Sequence, residues 1–67
     1  MQLTWKTVDK WREERNMFVS DLARRADIPE RTIYAGVKKN SRLRRATDKA
    51  VRAAIREFDD EKNEGGR

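Results

Sequence analysis

The stretch that most constrains the fold runs from residue 19 to residue 38, VSDLARRADIPERTIYAGVK. Its apolar residues recur three and four positions apart on both sides of a short interruption, which is the spacing of one helix face. Within the interruption, Asp27 tolerates the left-handed backbone of a tight turn. Pro29 suits the start of a helix and not its interior. The stretch therefore predicts two short helices, 19–27 and 29–39, joined by a turn.

A first helix is predicted over residues 4–15, because Trp5, Val8 and Trp11 fall at helical spacing with charged residues between them. A chain this small needs large apolar anchors, so Trp11 is expected in the core. For Trp5 both the core and the edge of the domain remain open. Residues 1–3 are expected to be loose.

A fourth helix is predicted over residues 43–60 from a long apolar stripe. The stripe consists of Leu43, Thr47, Val51, Ala54, Ile55 and Phe58. The second and third helices offer shorter inner faces, formed by Val19, Leu22, Ala23, Ala26, Ile33 and Val37. The prediction is one small all-α, four-helix domain spanning residues 1–60, with 61–67 as a disordered polar tail.

Two points of this prediction have two open interpretations. The second helix has its N-cap at either Phe18 or Ser20. Gly36 either allows close packing of the third helix or marks the point where that helix frays. Arg24 and Arg25 are interpreted as solvated surface residues.

The composition limits the classes of function that the chain can have. The chain has 67 residues, no cysteine and no histidine, which removes thiolate metal sites and the commonest general base. No enzyme motif, metal site or cofactor site is apparent. Neither a membrane span nor a signal peptide is recognisable, so a cytoplasmic, nucleoid-associated location is expected.

Charge is distributed unevenly along the chain. Residues 38–56 contain eight Lys or Arg and one Asp, a net charge of +7, whereas residues 57–67 contain five acids and two bases, a net charge of −3. The basic block indicates either a polyanionic partner or a solvated helix face.

The segment LARRADIPERTIY resembles the helix-turn-helix of phage Cro and lambda-type repressors and of the lac-repressor-type headpiece. The matching residues are a small Ala23 in the first helix, Ile28 in the turn, and Thr32 and Ile33 in the second helix. The later segment ATDKAVRAAIREF looks like the third helix of the headpiece. Two departures are Asp27, where Gly is common, and Gly36, where Val or Ile is usual. The resemblance implies that the second and third helices form a helix-turn-helix and that the third lies in the DNA major groove.

The resemblance also implies roles for individual residues. Base contacts are expected from the third helix, with Arg31 as the candidate to read guanine. Glu30 is expected either to accept a hydrogen bond from cytosine or to cap the third helix, and Tyr34 either to donate to phosphate or to be half-buried. The full set of expected base contacts is Glu30, Arg31, Tyr34, Ala35 and Lys38. The expected contacts to the DNA backbone are Ser20, Thr32, Lys39, Asn40, Arg42, Arg44 and Arg45.

These patterns favour a sequence-specific regulator that binds double-stranded DNA, of the size of phage or mobile-element repressors, and acts by occupying an operator. A single copy offers few base contacts, so a homodimer on a palindromic operator is expected. Phe58, a loosely held Trp5 and the acidic tail are candidate dimer contacts. The alternatives are a recombination directionality or DNA-architectural factor, and an antitoxin-like protein-interaction bundle.

Overall fold

The computed structural model describes the backbone of residues 3–65 and the side chains of residues 3–62. This part of the chain forms four helices: α1 (Trp5–Glu14), α2 (Val19–Ala26), α3 (Glu30–Lys39) and α4 (Arg45–Gly65). In the same residues, the β-type pairing consists of one isolated antiparallel bridge between Thr4 and Arg42. The predicted small all-α, four-helix domain is therefore confirmed. In these residues no helix is both long enough and apolar enough to cross a membrane.

A residue with a left-handed backbone follows each of the first three helices. Asn16, Asp27 and Asn40 have φ values of 55°, 57° and 51°. Asn and Asp adopt this conformation more readily than other residues with a side chain, because their short polar groups bond locally. After Asp27 the amide of Ile28 donates to the carbonyl of Ala23 at 3.0 Å. The three turns thus keep the connections between helices short.

The ends of the helices differ from the predicted bounds in specific ways. Phe18 is the N-cap of α2, which decides between the two candidates, and Pro29 is the N-cap of α3 rather than its first residue. The fourth helix begins at Arg45 instead of residue 43 and continues to Gly65 instead of ending at 60. Residues 61–65 of the predicted disordered tail are therefore helical, and 66–67 lie outside the described residues.

Trp5 lies in the core, whereas Trp11, the tryptophan that the sequence predicts there, lies at its edge. Trp5 is 5% exposed and belongs to the buried cluster, whereas Trp11 is only partly buried and packs against that cluster. Trp5 takes this place because its indole ring lies directly on the backbone of α3 at Gly36, where an added Cβ would overlap ring atoms Cγ and Cδ1. Gly36 therefore allows close packing.

The start of the chain is pinned to the loop between α3 and α4. Leu3 is 4% exposed, and its carbonyl accepts from the amide of Leu43 at 3.0 Å. The amide of Trp5 donates to the carbonyl of Ser41, also at 3.0 Å. The expectation of a loose start is wrong for Leu3, while residues 1 and 2 lie outside the described residues. These backbone bonds fix the α3–α4 loop against the N-terminus of α1.

Helices α2 and α4 are joined by an ionic cluster at the end far from that loop. Arg25 donates to Asp21 at 3.0 Å, to Glu57 at 2.8 Å and to Glu61 at 2.5 Å, with its guanidinium 5.4 Å from the centre of the Phe58 ring. Its side chain is only 13% exposed. The interpretation of Arg25 as a solvated residue is therefore wrong, because sequence spacing does not reveal that acids of α4 face it. Its neighbour Arg24 is 77% exposed.

Candidate nucleic-acid interface

The outer side of α3 carries a compact polar ridge. Successive residues of an α-helix are turned by about 100°, so Arg31, Ala35 and Lys38 lie within about 60° of one another. The inward-facing residues Ile33 and Gly36 lie on the opposite side and are buried. The ridge is therefore turned away from the core.

Each residue for which a base contact is predicted is exposed: Glu30, Arg31, Tyr34, Ala35 and Lys38. Tyr34 is 60% exposed, which removes the half-buried alternative. Glu30 lies in the first turn of α3, where its carboxylate suits the positive end of the helix dipole, and no side-chain hydrogen bond caps this helix. We call Arg31, Tyr34, Ala35 and Lys38 the α3 face.

The residues for which a DNA-backbone contact is predicted are exposed as well: Ser20, Thr32, Lys39, Asn40, Arg42, Arg44 and Arg45. Ser20 lies in the first turn of α2, and Thr32 lies on the flank of α3. The other five follow one another from the end of α3 to the start of α4, and we call residues 39–45 the basic segment. The basic segment thus begins where the α3 face ends.

Asn40 has a further role that the sequence does not reveal. It ends α3 with a left-handed backbone, and its side-chain Oδ1 accepts a hydrogen bond from the backbone amide of Lys6 at 3.3 Å. The remaining donors of the Asn40 amide group are available to a phosphate. The same contact places the exposed Lys6 beside the basic segment.

Five arginines outside this surface are paired with neighbouring acids. Arginines paired with carboxylates in the described residues are Arg12, Arg15, Arg24, Arg25 and Arg52. In the best-defined pair, Arg15 Nε lies 2.8 Å from Asp59 Oδ1 and Nη2 lies 3.1 Å from Oδ2. This bidentate contact raises the pKa of Arg15 and lowers that of Asp59. The pairs of Arg15 with Asp59 and of Arg25 with Glu57 and Glu61 join different helices, whereas the other three arginines pair with an acid of their own helix.

Other carboxylates respond to their arginines in the same direction. A hydrogen bond from Arg25 lowers the pKa of Glu61, and one from Arg52 lowers the pKa of Asp48. At Asp21 burial alone would raise the pKa, but hydrogen bonds from two arginines outweigh it and the net shift is downward. Asp21, Asp48, Asp59 and Glu61 are therefore ionised at neutral pH, and each is bonded to an arginine.

On the α3 face and along the basic segment the arrangement is different. Arg31, Lys38 and Lys39 form no ion pair with any described carboxylate, and the same holds for Arg44 and Arg45. Exposed cations that form no ion pair create a positive potential that attracts polyanions. Five such cations thus lie on α3 and from its end to the start of α4.

No protein-family model, curated protein or solved structure matches the chain. The function is therefore inferred from the charge and geometry of this surface. Among the described residues no three His, Cys, Asp or Glu side chains are grouped closely enough to hold a metal ion.

Two further exposed residues were not among the predicted contacts. Lys6 is exposed, and its backbone amide contacts Asn40 of the basic segment. Phe18 is 76% exposed and precedes the first turn of α2, next to Ser20. A Lys in the first turn of a predicted helix gives no sign of which loop it will meet, and an aromatic residue between two helices is ordinarily expected to be buried.

Proposed function

We propose that the protein is a sequence-specific DNA-binding regulator in which α2 and α3 act as a helix-turn-helix. The observation that carries the proposal is a cluster of cations on and just after α3. Arg31, Lys38, Lys39, Arg44 and Arg45 are exposed and form no ion pair with a described carboxylate, whereas five arginines on or next to the other three helices are paired with acids. DNA is the common cellular polyanion that a basic helix face fits, because its major groove is about 12 Å wide and admits one helix.

In this proposal α3 enters the major groove. A helix of 10 residues is about 15 Å long, so its exposed ridge spans several base edges. Arg31 donates two hydrogen bonds to guanine O6 and N7, and Lys38 reaches a second base edge or its phosphate. Where a cytosine lies next to that guanine, Glu30 accepts a hydrogen bond from the N4 amino group of the cytosine.

The basic segment follows the DNA backbone in this arrangement. Lys39, Arg44 and Arg45 neutralise phosphates, and Asn40 donates its free amide hydrogens. The pinned contact between the chain start and the loop between α3 and α4 holds this segment in a fixed position relative to α3. Such preorganisation reduces the entropy lost on binding.

A single domain of this size covers few base pairs, so we infer that two copies bind a palindromic operator with half-sites about 10 base pairs apart. Bound in this way the protein acts by occupancy, as a phage or mobile-element repressor does. Of the candidate dimer contacts, Trp5 is buried and the Phe58 ring is covered by the cations of Arg25 and Lys62. Phe18 is the large exposed apolar side chain near α2 and is therefore the apolar candidate for contact between the two copies.

The test is binding to a random-sequence duplex across a salt series. With about five phosphates neutralised, the log–log slope is about −4.5, which corresponds to a roughly 500-fold loss of affinity from 50 to 200 mM salt. Arg45→Gln should reduce the slope by about one phosphate contact.

Arg56→Gln is the matched control because it removes the same charge from an exposed position about 16 Å further along α4. It should leave the slope unchanged. Equal effects of the two variants would mean that only net charge matters. No binding at low salt would exclude the DNA function and favour a protein-interaction bundle.

A further inference from the structure

The ridge of α3 has an apolar gap between its two cations. Ala35 lies one turn after Arg31 and about one turn before Lys38, and its methyl group is exposed. A residue at this position would ordinarily be long and polar if its task were solvation or phosphate contact. Ala35 is the small, uncharged member of the ridge, flanked on the same face by the 60% exposed ring of Tyr34.

A small side chain at the middle of the ridge has two physical consequences. It allows the α3 backbone to approach a partner closely, because nothing longer than a Cβ separates them. It also offers no hydrogen bond, so a polar base edge facing it would lose its bond to water without a replacement. The matching group on a base edge is therefore apolar, and the 5-methyl group of thymine is the apolar feature that the major groove offers.

The position of that thymine follows from helix geometry. Arg31 and Ala35 are separated by about 6 Å along the axis of α3, a little under two base-pair steps of about 3.4 Å. We propose that Ala35 is a specificity-determining residue that reads a thymine 5-methyl group within two base pairs of the guanine bound by Arg31. This inference rests on the proposed DNA-binding function and names the chemistry that the same face recognises.

The experiment begins with a site selected by the wild-type protein from a random duplex library. Each thymine of that site is then replaced singly by uracil, which removes only the 5-methyl group. At one position within two base pairs of a guanine, the replacement should raise the Kd about four-fold, the effect of withdrawing one methylene-sized group from apolar contact. Uracil at the other thymines should change the Kd by less than about 1.5-fold.

Two variants separate the role of Ala35 from that of its neighbours. Ala35→Gly removes the methyl partner and should bring the thymine-to-uracil ratio at that position close to one. Lys38→Gln is the control: it should weaken binding to both duplexes equally and leave the four-fold ratio intact. Circular dichroism at the assay temperature verifies that each variant is folded. If Ala35→Gly is unfolded, Ala35→Ser replaces it, because serine is only slightly larger than alanine but carries a polar hydroxyl.

The outcomes distinguish the inference from the function on which it rests. Binding that discriminates no thymine from uracil, or a ratio that persists in the Ala35 variants, overturns the inference and leaves DNA binding in place. Absence of salt-dependent binding to any duplex overturns both. A ratio near four in the wild type and near one in Ala35→Gly supports both.

Discussion

The Trp5 ring of α1 packs against Gly36 on the buried side of α3, and this contact leads to a prediction of unusual sign. Replacing Gly by Ala inside a helix ordinarily stabilises it by about 1 kcal/mol. At Gly36 the added Cβ would overlap Cγ and Cδ1 of an indole that is 5% exposed. A buried aromatic ring cannot rotate away at low cost, so α3 or Trp5 must shift.

The magnitude follows from the two opposing effects. Overpacking a close-packed core costs about 1–3 kcal/mol, and an overlap with two ring atoms belongs to the upper part of that range. Subtracting a helix gain of about 1 kcal/mol leaves a net loss of about 1–2 kcal/mol in the free energy of unfolding. For a domain of this size that corresponds to a decrease in Tm of roughly 5–15 °C.

The assay is thermal and urea unfolding of Gly36→Ala followed by far-ultraviolet circular dichroism. Ala35→Gly, the reverse exchange at the exposed neighbouring position, is the control and should also lose about 1 kcal/mol because only helix propensity acts there. Opposite exchanges one residue apart should thus both destabilise. If Gly36→Ala instead raises Tm, the Trp5 ring does not restrict α3 at this point and the reasoning is refuted.

Four further predictions concern the turn, the ion pairs and the binding surface. Asp27→Gly should stabilise the fold by about 1 kcal/mol, because Gly adopts a φ of 57° freely and the change removes an anion from the C-terminal end of α2; an unchanged or lower Tm would count against the turn geometry. Hydrogen bonds from arginine lower the pKa of Asp59 and of Glu61 in the folded state. The contribution of these ion pairs to stability is therefore complete above the unfolded-state pKa values, at about pH 4, and is lost as the pH falls through the lower folded-state pKa values. Thermal unfolding between pH 7 and pH 3 should show this decline, and Asp59→Asn should make it shallower; an identical profile would argue against the ion pair. Arg31→Ala should reduce discrimination between a selected site and a single-base variant by about 1–3 kcal/mol while changing affinity for random DNA much less; a competition titration measures both. Lys6→Gln should lower the salt slope by about one phosphate contact, and an unchanged slope would remove α1 from the surface.

The sequence predicted the helical architecture because the determinants are local. Apolar residues at spacings of three and four define each inner face, and Asp27 followed by Pro29 forces a turn between α2 and α3. The same periodicity leaves the α3 face exposed, so its outward orientation could be anticipated before any contact was known. Its partner and its base preferences remain predictions.

Other features depend on contacts distant in sequence and could not be read from a local pattern. Trp5 is buried because Gly36, 31 positions later, leaves room for an indole; by periodicity alone Trp11 is the equal candidate. Leu3 is ordered because its backbone pairs with Leu43. Neither partner can be recognised from the residues next to these positions.

The charged residues show the same limit. Arg24 and Arg25 are adjacent and chemically identical, yet one is exposed and the other lies under the acids of α4. Both bond to Asp21, but the packing of α4 against α2 decides that only Arg25 also meets the described acids of α4. Lys6 likewise joins the basic segment only because the N-terminus of α1 meets the end of α3.

The most direct test of the central claim is a titration of the isotopically labelled protein with duplex DNA, followed through its backbone amide resonances. Large shifts are expected at residues 30–45, which contain the α3 face and the basic segment, and at Ser20 of α2. Small shifts are expected around Arg25 and Arg15, whose charges are already neutralised by acids. Large shifts confined to the α2–α4 ionic cluster, or no shifts at low salt, would contradict the claim.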